Sequence, residues 1–235
     1  MGTIKRGILG GFSGRVGTVV GSNWKTVNYM RALAMNVRNP RTEKQQCQRG
    51  KFSMAINFLT AITPFVRVGY KSYATDQSAF NAAMSYIMKN AITGCGETLA
   101  LDYNKALVAH GNLTSAVDAT VAVESNKASY KWTDNSGTGD AKVKDAAMLL
   151  VYNKDKGEAV YNMNGATRTN GKAELTLPAN WSGNALAIYL SFCSEDGKSV
   201  TNSVCLKNDA SSGDSGNTNP GGGGSDGDEN ENPLG

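Results

Sequence analysis

The chain predicts a mixed α+β protein: an N-terminal β-hairpin plus helical module, followed by an immunoglobulin- or fibronectin-like β-sandwich. Three observations lead there. The first forty residues are punctuated by Gly7, Gly10, Gly11, Gly14, Gly17 and Gly21, with strand formers between. Residues 42–92 place apolar side chains at three- and four-residue spacing. From about residue 97 the apolar period drops to two, and turn clusters separate short runs.

In the first segment, Val16, Thr18, Val19 and Val20, then Trp24, Thr26, Val27 and Tyr29, favour strands. Gly21-Ser22-Asn23 between them has turn chemistry, so a hairpin is expected at about 15–31, with an extended arm to Pro40. Thr42 to Gln45 forms a capping box: the threonine caps the Gln45 amide and the glutamine reaches back. Phe52, Ala55, Ile56, Leu59 and Ile62 follow as one buried stripe. Thr63-Pro64 reads as an N-cap and first-turn proline, opening a short second helix to about Tyr73. A third runs from about Gln77 to Ile92, with Phe80, Ala83, Met84, Ile87 and Ala91 inward and Gly94 ending it.

Seven strands are expected beyond: 106–109, 119–123, 128–132, 146–152, 173–177, 185–192 and 199–206. Glu124 to Lys127, Asp134 to Gly137, Asn153 to Gly157 and Glu195 to Lys198 supply turns between some of them. Seven short strands in about a hundred residues suit a sandwich, and Trp132 on the third is the expected core aromatic. The domains are then 1–96, 97–207 and a low-complexity acidic tail at 208–235, expected to be disordered by itself.

Charge divides along the same line. Residues 1–75 hold twelve Lys or Arg against one acid, Glu43, a net +11; residues 76–235 hold twelve against nineteen, a net −7. From Asn208 onward there are six acids and no Lys or Arg. A basic module of this kind is either a contact for a polyanion, or a solvated face or a surface that meets acidic patches of neighbouring subunits. Its basic residues are dispersed and stacking aromatics are few, which favours the solvated or subunit-facing surface over the polyanion.

No run approaches 18 apolar residues, so no membrane span is expected. The opening segment is broken by Gly10, Gly11, Ser13, Gly14 and Arg15, unlike the apolar run of a signal peptide. A cytoplasmic or virion location is the expectation. Cys47, Cys95, Cys193 and Cys205 form no C-x-x-C pair, so no zinc site is expected. Matching the apolar faces of 186–192 and 204–206 pairs Leu190 with Val204 and sets Cys205 opposite Tyr189. That leaves Cys205 about 13 Å from Cys193 at the strand rise, beyond disulfide reach. Free thiols fit a reducing compartment.

Catalytic chemistry is not expected. His110 is the single histidine, read as a surface residue, so a His-paired nucleophile has only one position to use. Gly14-x-x-Gly17 lacks the Lys-Ser/Thr of a phosphate loop. No cofactor, metal or catalytic residue is assigned. The glycines read as backbone features, where the chain turns or another backbone packs closely.

The segment from Gly10 through Arg15, Gly17 and Gly21 to Trp24-Lys25, then Arg31, Arg38-Asn-Pro-Arg-Thr-Glu43, Gln46 and Arg49, resembles an uncharacterised family of Bacteroides-group bacteria and their phages. The likeness covers about residues 1–207, ending near Thr201-Asn-Ser203. The Asn-Pro-Arg-Thr and Gln-x-x-Arg combination also resembles short proteins encoded in phage-like elements. The resemblance implies no activity and points to a structural role in a virion or mobile element.

The leading expectation is therefore a non-enzymatic assembly protein whose partners are further copies or other structural subunits. The expected assembly residues are Gly14, Arg15, Gly17, Val19, Gly21, Trp24, Tyr29, Arg31, Arg38 and Arg41. The alternatives are a nucleic-acid-associated protein using residues 1–75, and a surface adhesin or carbohydrate-binding module using Trp132, Trp181 and tyrosines.

Overall fold

The computed structural model describes residues 3–4, 11–24, 27–35, 39, 41–74, 77–124 and 126–208. Arg38, Pro40 and the tail from Asp209 lie outside the described residues. The chain is an α+β protein in two compact units, residues 1–47 and 48–235.

The first unit is an antiparallel meander of β1 (Thr3–Ile4), β2 (Phe12–Val16), β3 (Val19–Trp24) and β4 (Val27–Ala32), in that spatial order. The expected hairpin is present, but its turn is not at Gly21-Ser22-Asn23. Those residues lie inside β3, paired with Met30, Tyr29 and Asn28. The chain reverses instead at Gly17-Thr18, between paired Val16 and Val19, where Gly17 has φ +57°. A two-residue loop with glycine first has the twist two antiparallel strands need.

Helix α1 (Glu43–Ala61) starts as expected: the Gln45 amide donates to the Thr42 hydroxyl at 3.4 Å. Its inward stripe is Ala55, Phe58 and Leu59, continued by Ile62, while Phe52 is exposed. Phe58 takes the interior place because its ring packs edge-on against Tyr152, centroids 4.9 Å apart, and Tyr103, 5.9 Å. Helix α2 (Thr63–Gly69) turns off at 89° and stops short of the expected Tyr73. Its cap position is Ile62 rather than Thr63, whose hydroxyl donates back to the Leu59 carbonyl. In α3 (Ala79–Asn90) the Ser78 hydroxyl caps the Asn81 amide, and Ala82, Ala83, Met84 and Ile87 turn inward.

A short ribbon, β5 (Ile92–Thr93) with β6 (Ala100–Leu101), leads into β7 (Val117–Glu124), β8 (Lys127–Thr133), β9 (Ala146–Asn153), β10 (Glu158–Asn162), β11 (Lys172–Thr176), β12 (Leu186–Cys193) and β13 (Val204–Leu206). They form two antiparallel sheets, ordered β10-β9-β12-β13 and β11-β8-β7. Residues 106–109 are not a strand. Ala106, Val108 and Ala109 are buried, but the Val108 amide donates to the Ser203 hydroxyl and the His110 amide to the Gly69 carbonyl. Strand β10, unpredicted, pairs with β9 across the turn ending at Gly157.

The two sheets face each other through one core. Leu149, Val151, Ile188, Leu190 and Phe192 meet Val121, Tyr130, Trp132, Ala173 and Leu175 there. The opposite faces of β9 and β12, carrying Met148, Leu150, Tyr152, Ala187 and Tyr189, join a second core with Phe58, Leu59, Phe65, Ala83 and Ile87. The sheet β10-β9-β12-β13 is thus a middle layer with helices on one side and the second sheet on the other. Residue 97, where the apolar period changes, lies within the unit 48–235.

Trp132 sits in the sandwich core as expected, 5% exposed, edge-on to Phe192 at 5.4 Å. Its indole Nε1 donates to the Arg168 carbonyl at 2.7 Å. Trp132→Ala removes both, and a loss of about 3–5 kcal/mol in denaturant melts is expected. Wild-type stability in that variant would contradict this packing.

The strand register places Leu190 opposite Val204 and Tyr189 opposite Cys205, as derived from the apolar faces. Cys193 and Cys205 are free thiols, and burial pushes both pKa values up. Cys47 and Cys95 are disulfide-bonded, so the free-thiol expectation fails for them. His110 is half-buried rather than on the surface, its ring 4.1 Å from that of Tyr73 and its Nδ1 buried without a partner.

Candidate assembly surface

The register of the N-terminal sheet sorts its residues onto two faces. Arg15, Val20 and Arg31 stand in one cross-strand row, beside the Ser22–Tyr29 pair. The other face carries the row Val16, Val19, Ala32 and, next to it, Gly14, Gly21 and Met30. The face with Arg15 and Arg31 also carries the Trp24–Val27 pair, while the other, which ends in the Asn23–Asn28 pair, has no charged residue. No such division is visible along the sequence, because it arises only when three strands are placed in register.

Neither side is packed away. Val16 is 53% exposed, Tyr29 44% and Met30 70%. Every residue of β4 is exposed, and among the described residues no hydrophobic side chain before Ala55 is buried. The sheet is held by its backbone ladder and by close approaches: a Cβ at Gly21 would collide with the Phe12 carbonyl oxygen, and one at Gly11 would meet the Asn28 side chain. Gly21 is therefore glycine because β2 crosses tightly over it. Arg15 is anchored by its Nε, which donates to the Gly17 carbonyl at 3.1 Å.

The expected assembly residues divide accordingly. Gly14, Arg15, Gly17, Val19, Gly21, Tyr29 and Arg31 belong to this one sheet or its turn. Trp24 closes the β3–β4 hairpin opposite Val27. Arg41 lies just ahead of α1 rather than in the sheet, and its carbonyl accepts from the Gln46 side chain at 3.4 Å. Arg38 is outside the described residues. Met30 and Val16 were not among the candidates, though they are the most exposed apolar residues of the sheet's apolar rows.

The second unit has a groove of about 830 Å³ beside β12 and β13, lined by Tyr103, Lys154, Asn184 and Lys207 among others. Trp181 borders it but is 3% exposed, with its Nε1 donating to Glu158 at 3.3 Å. Neither it nor Trp132 offers an open ring face to a sugar.

A family model described as a family of unknown function, DUF6266, matches residues 11–207. The chain belongs to this family. The DUF6266 match begins at the residue before β2 and ends one residue past β13, so it takes in β2 to β4 together with the helices and both sheets. No curated protein matches the chain.

Proposed function

We propose that this DUF6266 member is a non-enzymatic structural protein that assembles through its N-terminal sheet, as part of a virion or a mobile-element particle. One observation carries the reading: a four-stranded sheet with an apolar row at Val16, Val19 and Ala32 and, among the described residues, no buried hydrophobic side chain of its own. Ordering each residue of such a sheet costs roughly 1–2 kcal/mol of backbone entropy. Sheets offset that by burying one face, and this one leaves its apolar face open for a partner. The resemblance to proteins of Bacteroides-group bacteria and their phages supports the particle setting. The Cys47 and Cys95 disulfide bonding suits a particle surface better than a reducing cytoplasm.

Deleting residues 1–33 tests it. The second unit has its own cores, so the truncated chain should remain folded by circular dichroism. Light scattering should show the full chain as a multimer and the truncated chain as a monomer. An unchanged particle size would overturn the proposal.

The row Arg15, Val20 and Arg31 favours a second reading, in which the basic face holds nucleic acid. That reading expects the deletion to leave particle size alone and to abolish salt-sensitive retention of DNA or RNA.

A further inference from the structure

Among the described residues strand β4 is an outer strand of its sheet, and one hydrogen bond tells which of its backbone groups face away from β3. The Leu33 amide donates to the Thr18 carbonyl at 2.7 Å. The register continues without a shift from Val19–Ala32 to Trp24–Val27. Antiparallel pairs alternate between hydrogen-bonded and non-bonded. Arg31, Tyr29 and Val27 therefore turn their N–H and C=O toward β3, and Asn28, Met30 and Ala32 turn theirs outward. The strand has no proline, no acid and a single charge, Arg31, so its edge is little guarded against pairing.

We propose that the partner at this edge is β4 of a second copy, antiparallel across a two-fold axis at Met30, joining two four-stranded sheets into one of eight strands. The inference rests on the assembly reading above and names its partner. A two-fold axis normal to the sheet keeps each face on its own side, so one residue of β4 must lie opposite itself. An Arg31 centre sets like charges face to face, which is unfavourable. A Tyr29 centre pairs only Asn28 with Met30 among the outward residues, and leaves Ala32 without a described partner. The Met30 centre pairs all three outward residues: Met30 with Met30, and Asn28 with Ala32 twice. It also sets each Arg31 opposite a Tyr29, a favourable cation and ring pair. The strand is self-complementary in that register. Its two Met30 side chains, each 70% exposed in one chain, cover one another and extend the apolar face across the axis.

A single six-residue ladder is small beside the roughly 1,600 Å² of a standard interface, so each contact is weak and gains strength through repetition in an assembly. Residues 1–42 carry seven Lys or Arg and no acid, so two such modules repel at long range. Added salt screens that repulsion and strengthens the contact, whereas it weakens polyanion binding.

The test uses full-length chains. Met30→Cys should form a covalent dimer rapidly under mild oxidation, since directly opposite Cα atoms lie about 5.5 Å apart. Asn28→Cys, offset by four residues from its own copy, should not, and wild type serves as the background for the native thiols. Met30→Pro removes an outward N–H while sparing the ladder to β3, so it should reduce the sedimenting mass with an unchanged circular dichroism spectrum. Equal dimer yields from the two cysteine variants, or a wild-type mass for Met30→Pro, would overturn the proposal. If deletion of 1–33 still dissolves the assembly while Met30→Pro does not, the assembly reading survives and the β4 edge is not the contact. If neither changes the mass, both fail.

Discussion

Replacing Arg168 with alanine is expected to destabilise the protein by about 3–5 kcal/mol, the range for removing one partner of a buried ion pair. The guanidinium is fully buried, with Nε donating to Asp145 at 3.1 Å, Nη1 to Asn135 at 2.7 Å and Nη2 to the Thr114 carbonyl at 3.0 Å. It also lies 4.1 Å over the Phe192 ring, and its carbonyl takes the Trp132 indole proton. Burial pulls its pKa down, and Asp145 acts in the opposite direction. Removing it leaves the Asp145 carboxylate without its counter-charge at 0% exposure and takes away the bonds to Asn135 and Thr114. Arg168→Lys restores the charge but not the three-way fork, so it should recover only part of the loss. Denaturant melts at neutral pH measure both. A change under 1 kcal/mol in Arg168→Ala would show that water replaces the guanidinium at little cost.

The second large effect concerns the sandwich cut free of the helices. A fragment from Leu99 to Asn208 keeps the core around Trp132 but uncovers Met148, Leu150, Tyr152, Ala187 and Tyr189 together. At roughly 1.5–3 kcal/mol for each large side chain returned to water, the loss is comparable to the whole stability of a domain. The fragment is expected to aggregate, or to melt without cooperativity, while a fragment from Gln48 to Asn208 folds. A monomeric Leu99–Asn208 fragment with a sharp melt would instead support a boundary near residue 97.

Much of the sandwich was readable because alternation and turn chemistry agree there. Leu190 opposite Val204 followed from apolar parity alone, and so did the separation of Cys193 from Cys205. The middle layer was misjudged although its signal was present. Ala146 to Tyr152 and Leu186 to Leu190 are unbroken apolar runs, the mark of strands buried on both faces, and an ordinary sandwich does not need them. Arg168 gave no signal: one arginine in a polar loop looks like any other until the fold closes around it. The apolar face of the N-terminal sheet was hidden for a different reason. Val16, Val19 and Ala32 are neighbours only through the registers of β2 with β3 and of β3 with β4, and Gly21 looked like a turn residue because crowding by Phe12 leaves no trace in composition.

The middle layer also decides where this chain tolerates substitution. In β8 and β11 burial alternates, so a polar replacement is acceptable at every second position, such as Lys131 and Glu174. In β9 and β12 nearly every position is enclosed, and a charge introduced on either face meets a hydrophobic layer. Strand β4 is the reverse case, open at all six positions. A saturation scan would thus separate three kinds of strand in one chain: permissive by alternation, intolerant throughout, and free in the isolated subunit. In β4, intolerance would appear only when the readout depends on more than one copy.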